Sequence, residues 1–401
     1  MTEAPDNIAI LAFRAPGASL GSLGRMSYDD LGALVFHHPA PLSHDPQSGS
    51  SLRPLRMAQA FEEIGIETVH VTGYSAERAR RARVVIDQLR AGRRFVGVYG
   101  ESVTMPTALS DPRHLPVRPM LDARFYRTMN RKRVPTGLYY RDAYWRFPFY
   151  GRALRWPKRA AAIVAYRYDL HWYRRYVDVM FVQTRELIEL LPHGDRFPVV
   201  VELPPGGDRV DSVVRRPVAG TLNIMYVGGV APPVYDLTPI LAAVDEVAST
   251  SLVVCCRPAE STWVTDSPLY HDERVEVVHR GAEQLRELYQ TADVTVAGFG
   301  ASDYMSVVTP VKVFEAIAHG VPIVISRDCA AARLIEDEHI GWIVDDAAGL
   351  AKLLARLRDN PSELMEKAVR LNAVRDRHTW AVRARKVVDE LTAVDRRSTL
   401  R

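Results

Sequence analysis

The sequence predicts an α/β protein made of two doubly wound domains. Short apolar runs rich in β-branched residues recur along the chain, and helical patterns separate them. This alternation is typical of parallel sheets that helices cover on both faces. The chain has 401 residues, a length that one ordinary hydrophobic core does not fill, so two domains are expected.

Six strand candidates lie in each half of the sequence. In the first half they cover 8–13, 67–73, 93–100, 134–140, 178–184 and 197–205. In the second half they cover 222–229, 251–258, 274–281, 293–300, 321–326 and 341–346. The segment PPGGDRV at 204–210 is the expected linker, which places the two domains at 1–205 and 206–378. Ligands of such folds bind at the carboxyl ends of the strands, so the site is expected in the cleft between the domains.

The N-terminal part of the chain carries two further expectations. The run at 8–13 is short and follows an acidic start, so it is predicted to be a first strand rather than a signal peptide. Residues 14–55 are rich in Gly, Ser, Pro and His and show little periodicity, which predicts a long functional or disordered loop. No apolar run approaches the ~20 residues that a membrane-spanning helix needs.

The composition excludes several classes of protein. With 47% hydrophobic and 25% charged residues the chain is a typical soluble globular protein, and its net charge of +4 is too small to indicate nucleic-acid binding. Three cysteines do not make a disulfide framework and fit a reducing cytosol. Arginine far outnumbers lysine, which suits the recognition of phosphate, but a skewed genomic composition explains it equally well.

Several ligand-binding motifs are absent from the sequence. No Gly-x-Gly-x-x-Gly follows a strand candidate, and there is no P-loop pattern. No Asp-x-Asp pair and no cluster of His and Cys offers a metal site. We therefore expect neither a metal nor a cofactor.

The most informative stretch is TPVKVFEAIAHGVPIVIS at 309–326. Thr309 and the following proline predict the start of a helix, and Gly320 predicts its end. Lys312 and Glu315 lie three residues apart on one face of this helix, where they either pair with each other or bind a ligand. The helix start can hold a diphosphate with the help of Lys312, and Glu315 can accept two hydrogen bonds from a diol such as a ribose. The packed, apolar character of the helix favours the ligand.

Two glycines follow the first strand of the second domain. Gly228 and Gly229 end the run LNIMYVGG, where glycine lets the backbone approach a phosphate closely. A simple turn at the end of a strand explains them equally well. Thr238 and Pro239 predict the start of the next helix.

At this point the chain resembles the GT-B glycosyltransferases, near glycosyltransferase family 4. PVKVFEAIAHGVPIVIS resembles the Pro-x-Lys-x-x-Glu block of their donor domain, and VGGVAPPVYDL and RGAEQLRELYQTADV resemble the segments before it. In the first half, VPTGLYYRDAYWRFPFY and its neighbours are similar to bacterial enzymes of capsular or other cell-surface polysaccharides. The resemblance covers roughly residues 48–390. It implies two Rossmann-like domains that face a cleft, with the donor on the second, and a C-terminal helix at 379–401 that returns to the first.

The resemblance places Glu315 on the ribose of a nucleotide sugar and Gly229 against its diphosphate. Many members have a glutamate where this chain has Val307, and an Arg and a Lys that VGGVAPPVYDL lacks. Positive charge must then come from other residues, and Asp303 is a candidate to replace the glutamate in part. The expected donor-binding residues are Gly228, Gly229, Arg257, Arg280, Gly281, Asp303, Thr309, Lys312 and Glu315.

Polar residues that follow strands of the first domain are expected to face the cleft and the acceptor. The catalytic candidates are Glu101, His114, Arg141 and Asp142. Satisfaction of backbone groups in the core is an equal alternative for His114. Burial without function is less expected for the adjacent Arg141 and Asp142, because an unsolvated charge pair is costly.

The stretch YWRFPFYGRALRWPKR at 144–159 mixes aromatic and basic residues. It is a candidate for contact with an anionic membrane surface. Aromatic residues packed under a basic surface helix are commoner, and we favour that interpretation.

The resemblance implies a metal-independent glycosyltransferase that moves a sugar from a nucleotide-sugar donor to a glycan or lipid-linked acceptor. Retention of configuration is expected, with the leaving diphosphate stabilised electrostatically; an inverting enzyme would use Asp142 or His114 as general base. The alternatives are a sugar-nucleotide epimerase of the same fold and a non-catalytic sugar-nucleotide or glycan-binding protein. The expected location is the cytoplasm, including the inner face of the plasma membrane.

Overall fold

The computed structural model describes residues 32–43, 49–152, 154–210, 217–281, 284–299 and 303–399. They form two parallel sheets of six strands each, with helices between successive strands. The predicted α/β architecture of two Rossmann-like domains is therefore confirmed.

The first sheet has the strand order β2-β1-β3-β4-β5-β6. Its strands are β1 (Ala33–His38), β2 (Thr68–Thr72), β3 (Phe95–Glu101), β4 (Thr136–Tyr140), β5 (Val179–Val182) and β6 (Val200–Glu202). The helices that connect them are α1 (Gly49–Glu63), α2 (Ser75–Arg90), α3 (Leu121–Arg131), α4 (Trp156–Tyr176) and α5 (Arg185–Glu189).

The second sheet has the order β12-β11-β10-β7-β8-β9. Its strands are β7 (Leu222–Val227), β8 (Thr250–Cys255), β9 (Val275–Val278), β10 (Val294–Ala297), β11 (Ile323–Ser326) and β12 (Gly341–Val344). The helices are α6 (Thr238–Glu246), α7 (Thr262–Thr265), α8 (Leu285–Thr291), α9 (Val311–His319), α10 (Ala332–Glu338), α11 (Ala347–Asp359), α12 (Pro361–Val374) and α13 (Trp380–Thr399).

The prediction of an irregular segment over 14–55 is wrong at its C-terminal end. Residues 33–38 form β1, which pairs with both β2 and β3 near the centre of the first sheet, and α1 begins at Gly49. Only four apolar residues precede two histidines here, so the sequence pattern does not predict a buried strand. His37 is nevertheless buried, because its Nε2 lies 2.7 Å from a carboxylate oxygen of Asp122. The predicted strand at 8–13 lies outside the described residues.

The last helix packs against the first sheet. Trp380, Ala384, Val387 and Leu391 follow a helical spacing and share one buried core with Leu34 of β1. Two glycines of the sheet make room for this contact: a Cβ at Gly97 or Gly137 would lie 3.0 or 3.2 Å from a methyl carbon of Leu391. Helix α13 thus follows the second domain in sequence and lies on the first in space.

Two predicted helix starts differ from the structure by one residue. Helix α9 begins at Val311, and Pro310 rather than Thr309 is the residue before it. Helix α6 begins at Thr238 itself, after Leu237. The predicted end of α9 is confirmed, since Gly320 has a φ of +67° in the left-handed region that favours glycine. Within the described ranges, no helix has the length and apolarity required to cross a bilayer.

Candidate functional site

A cavity of about 410 Å³ opens where the second sheet meets the first domain. It lies at the carboxyl ends of β7, β8 and β9 and at the start of α9, and Gly49 and Leu52 of α1 close it from the first domain. Seven of the predicted donor-binding residues line it: Gly228, Gly229, Arg257, Arg280, Gly281, Lys312 and Glu315.

Lys312 enters the cavity between aromatic rings. Its ammonium nitrogen lies 4.3 Å from the ring centroid of Tyr226 and 5.5 Å from that of Tyr235, distances at which a cation is attracted to the ring face. Burial lowers the pKa of Lys312 to about 8, because desolvation disfavours the charged form. The group stays mostly protonated at neutral pH, and a bound anion would stabilise its charge.

Gly228 creates the space that the Lys312 ammonium occupies. A Cβ at Gly228 would lie 2.1 Å from Lys312 Nζ, and the residue has a φ of +137°. The backbone angle therefore requires glycine, and a side chain here would also displace the ammonium of Lys312. The next residue, Gly229, lies under the ring of Tyr235, since a Cβ there would lie 2.4 Å from a ring carbon.

Glu315 lies on the same wall of the cavity, one turn further along α9. Its Oε2 accepts a hydrogen bond from the Tyr289 hydroxyl at 3.4 Å. Burial, together with the nearby charge of Asp208, raises the pKa of Glu315 to about 7. Within the described part of the chain, Lys312 and Glu315 form no salt bridge within 4.0 Å. The structure therefore does not form the ion pair that was the alternative to ligand binding by these two residues.

The arginines at the cavity rim differ in how they are held. Arg257 pairs with Glu260 at 2.6 Å, and Glu260 also accepts a hydrogen bond from the Val230 amide at 3.1 Å. Arg280 is exposed, next to His279, whose Nδ1 lies 2.9 Å from the Cys256 carbonyl oxygen. The cavity thus has two exposed guanidinium groups at its outer edge, and the one of Arg257 is held by an ion pair.

The first domain contributes a helix start that the sequence did not reveal. Gly49, the first residue of α1, lies so close to α9 that a Cβ would be 3.1 Å from a methyl carbon of Val311. Helices α1 and α9 therefore both begin at the cavity, and the positive ends of their dipoles add to the charge of Lys312. Gly49 was missed because it lies within the stretch 14–55, which was expected to be irregular.

Two predicted donor-binding residues do not reach the cavity. Asp303 is exposed in a short 3-10 turn, Asp303–Val307. Thr309 is buried, and its amide donates to the side chain of Gln183 at 2.9 Å. Val307 packs into the core of the first domain, so this loop connects the two domains. The expectation that Asp303 replaces a glutamate at the donor finds no support in this arrangement.

Glu101 and Arg141 form a closed network inside the first domain. Glu101 is fully buried, accepts a hydrogen bond from Tyr99 at 2.9 Å, and lies 3.3 Å from both Arg53 and Arg141. The Arg141 side chain also donates to the Ser102 carbonyl. Glu101 is thus the shared counterion of two guanidinium groups, Arg53 also lies 3.5 Å from the centroid of the Tyr139 ring, and none of these charged residues lines the cavity.

Asp142 is buried at the seam between the domains. Its carboxylate accepts weak hydrogen bonds from Thr104 at 3.3 Å and from the Tyr144 amide at 3.4 Å. Burial raises the pKa of Asp142 to about 6, and the neighbouring Tyr144 stacks on Tyr304 of the second domain. Asp142 is thus the catalytic candidate with a carboxylate at the seam between the domains.

His114 is not brought to the site. It is exposed at the end of a 3-10 turn, and its ring nitrogen lies 3.2 Å from the Leu109 carbonyl oxygen. The alternative that His114 satisfies a backbone group therefore fits the structure better than a role as general base.

The aromatic and basic stretch at 144–159 divides into two parts. Tyr144 stacks on Tyr304 of the second domain, with ring centroids 4.4 Å apart. Trp145 is buried and stacks on Tyr166. Trp156, in contrast, is 80% exposed. The packing interpretation fits the first part of the stretch and not the second.

Comparison with known families bears directly on the second domain. Residues 221–360, which contain the strands and helices around the cavity, match the family model for Glycosyl transferases group 1. The second domain of the chain therefore matches a glycosyltransferase family model over nearly its whole length. This confirms the enzyme class and the fold that the resemblance implied. No curated protein matches the sequence of the chain.

Solved structures of GT-B glycosyltransferases share the fold across both domains. HepE from Anabaena in complex with UDP has a TM-score of 0.59 at 11% identity and covers 90% of this chain and 100% of its own. WaaG, a glycosyltransferase involved in lipopolysaccharide biosynthesis, has a TM-score of 0.55 at 15% identity, with 90% and 99% covered. Sucrose-phosphate synthase from Thermosynechococcus elongatus has a TM-score of 0.56 at 13% identity, with 88% and 97% covered. At these identities the likeness establishes the fold.

Proposed function

We propose that this glycosyltransferase binds a nucleoside diphosphate sugar in the cavity and transfers the sugar to a glycan or lipid-linked acceptor of a cell-surface polysaccharide. The observation that carries the proposal is the separation of Lys312 and Glu315. They share a wall of one cavity without pairing, which suits a ligand with an anionic part and a hydroxylated part.

The anionic part of the donor lies at the start of α9. The starts of two helices and the Lys312 ammonium meet there, which is the environment that a diphosphate prefers. Arg257 and Arg280 stand further out and neutralise the remaining charge. Displacement of water by the diphosphate would raise the pKa of Lys312 from about 8, because an anion favours the protonated amine.

The ribose of the donor hydrogen-bonds to Glu315. A carboxylate accepts two hydrogen bonds from a vicinal diol, and its existing bond from Tyr289 orients it. Gly281 and His279 line the same cavity as Glu315, and we place the nucleobase beside them. UDP sugars are the donors to test first, because HepE was solved with UDP and with UDP-glucose.

The transfer step breaks the bond between the anomeric carbon and the diphosphate and forms a bond to an acceptor oxygen. In the retaining reaction that we propose, the acceptor proton passes to the departing phosphate oxygen. Lys312 and the two helix starts stabilise the negative charge of the leaving group. Asp142 lies at the seam between the domains, next to Tyr144, where it orients the acceptor; in an inverting reaction it would take the acceptor proton instead.

We propose that the reaction needs no metal. Among the described residues, no group of three His, Cys, Asp or Glu side chains is arranged to hold one, and the cations of the cavity supply the charge that a metal would otherwise provide. The proposed location is the cytoplasm, with peripheral contact to the inner face of the plasma membrane where lipid-linked acceptors are found.

The proposal is tested by screening the melting temperature of the chain against UDP-, GDP- and dTDP-sugars, since a ligand that binds the native state raises its stability. The expected result is a rise with one nucleotide class. The donor found in this way is then incubated with and without glycan acceptors. Product that appears without any acceptor indicates an epimerase, and binding without turnover or hydrolysis indicates a non-catalytic protein.

A further inference from the structure

Helix α4 is longer than the sheet that it covers. Its 21 residues span about 31 Å, whereas the five residues of β4 span about 17 Å. The C-terminal end of α4 lies at the amino edge of the sheet, where the Tyr176 carbonyl accepts from the Thr136 hydroxyl at 2.7 Å. Tyr166 is already at the carboxyl edge, since its hydroxyl donates to the Thr104 carbonyl at 2.6 Å. The ten residues before Tyr166 therefore extend past the sheet.

The outer side of this extension carries exposed apolar side chains. Trp156 and Val164 lie eight residues apart on one stripe of the helix and are 80% and 66% exposed. The stripe continues to Tyr168, whose hydroxyl contacts the Met120 sulfur at 2.9 Å. Met120 ends the loop 115–120, in which Leu115 and Val117 are also exposed. We call this surface the α4 outer face; its apolar members are Leu115, Val117, Met120, Leu154, Trp156 and Val164.

The α4 outer face is surrounded by positive charge. Between Asp142 and Asp169 the sequence has six basic residues and no acidic one. Five of them are exposed around the apolar stripe, namely Arg152, Arg155, Lys158, Arg159 and Arg167. None of these five forms a salt bridge with a described carboxylate. Residues 1–205 carry 29 basic and 20 acidic residues, whereas residues 206–401 carry 23 and 28, so the positive charge is concentrated on the first domain.

We propose that the α4 outer face docks on the surface of an anionic lipid bilayer. Its apolar side chains come from a helix and from a loop, and exposed cations surround them. A projecting tryptophan among unpaired cations suits the interfacial region of a membrane, where the ring enters the headgroup layer and the cations meet lipid phosphates. The occupant is therefore lipid rather than protein.

Docking through this face would bring the seam between the domains close to the bilayer. The loops that follow β3 and β4 contain residues 115–120 and the start of α4, and they leave the same edge of the sheet that carries Asp142. An acceptor held in the membrane would then meet this edge directly. Docking itself does not depend on the proposed reaction, and it is measured without substrate.

The test is co-sedimentation of the full chain with phosphatidylcholine vesicles, with and without about a third phosphatidylglycerol. Binding is expected only to the anionic vesicles, and it should weaken as salt rises because the attraction is screened. Replacing Arg155, Lys158 and Arg159 by Ala should weaken the partition coefficient about a hundredfold, on the basis of a roughly fivefold contribution from each cation. The Trp156→Ser variant should weaken it at least several-fold.

Trp263 offers a matched control, because it is an exposed tryptophan on the second domain. Trp263→Ser should bind vesicles as the unaltered chain does. Brominated lipids should quench tryptophan fluorescence in the unaltered chain and in Trp263→Phe, and much less in Trp156→Phe. All variants should keep the same melting temperature and the same affinity for UDP, which separates loss of docking from loss of the donor site.

Absence of binding to the anionic vesicles would overturn the proposal, as would equal binding by the triple alanine variant. Quenching that persists in Trp156→Phe and disappears in Trp263→Phe would place the membrane contact on the other domain.

Discussion

Two sets of charged residues lie at the carboxyl ends of the two sheets, and their surroundings differ. In the first domain, Glu101 and Arg141 are buried and contact each other at 3.3 Å. In the second, Lys312 and Glu315 share a helix and a cavity but form no salt bridge with each other. Charges that satisfy each other stabilise a fold, and charges that remain apart in a cavity are available to a ligand. Position in the fold alone does not distinguish the two cases.

The largest expected effect of a single change concerns the stability of the first domain. Glu101→Gln should lower the free energy of unfolding by about 3–5 kcal/mol, because it leaves Arg53 and Arg141 buried without their counterion. Urea denaturation measures the loss. In Glu315→Gln no loss is expected at pH 7, because Glu315 forms no salt bridge with Lys312 and burial makes its ionisation unfavourable in the folded state. Similar losses in both variants would show that the charged residues of the cavity stabilise the fold as much as those of the first domain, contrary to this account.

Asp142 should affect transfer and not donor binding. Asp142→Asn should reduce kcat at least tenfold, because the carboxylate lies at the seam beside Tyr144 and orients the acceptor or takes its proton. The affinity for UDP measured by calorimetry should stay within about twofold. Loss of UDP binding in this variant would contradict the proposal that the second domain binds the donor while the first domain orients the acceptor.

The raised pKa of Glu315 predicts a dependence of donor affinity on pH. Its folded value of about 7 lies above the ordinary value of 4.5, so in the free protein the carboxyl binds its proton more tightly than in the unfolded chain. The tighter proton binding stabilises the folded state below pH 4.5, and this stabilisation is lost as pH rises toward 7.

Ribose binding favours the ionised carboxylate, so UDP affinity should rise several-fold between pH 6 and pH 8. Glu315→Gln removes the titrating group and should flatten this part of the profile. Calorimetry in buffers of matched ionic strength measures both. An identical rise in the variant would assign the pH dependence to another group.

The smallest expected effect is that of a chelator. Excess EDTA should leave UDP binding and transfer unchanged within experimental error, because side chains and helix dipoles supply the positive charge of the cavity. A complete loss that Mg²⁺ or Mn²⁺ restores would contradict the proposed metal-independent reaction.

Much of the second domain was predictable from the sequence because its signals are local. The helix that carries Lys312 and Glu315 lies next to its strand in the chain, and Gly320 ends it with a backbone angle that glycine favours. The turn at Gly228 follows directly from the preceding apolar run. Seven of the residues proposed from such patterns do line the cavity.

The first domain was less predictable because its determinants are distant in sequence. β1 ends in two histidines, and His37 is buried because Asp122, which also binds Arg78, comes from another element. Glu101 and Arg141 lie at the expected strand ends, but only the fold shows that they face each other. Gly49 reaches the cavity through the packing of α1 against α9, which no local pattern encodes.

The most direct test of the account is titration of Lys312→Ala and Glu315→Ala with uridine and with UDP. Glu315→Ala should lose about 2–4 kcal/mol of binding free energy for both ligands, because two hydrogen bonds to a charged acceptor disappear. Lys312→Ala should lose much more affinity for UDP than for uridine, because its ammonium acts on phosphate. Unchanged UDP affinity in Glu315→Ala would contradict the proposed donor site and the separation of roles within the cavity.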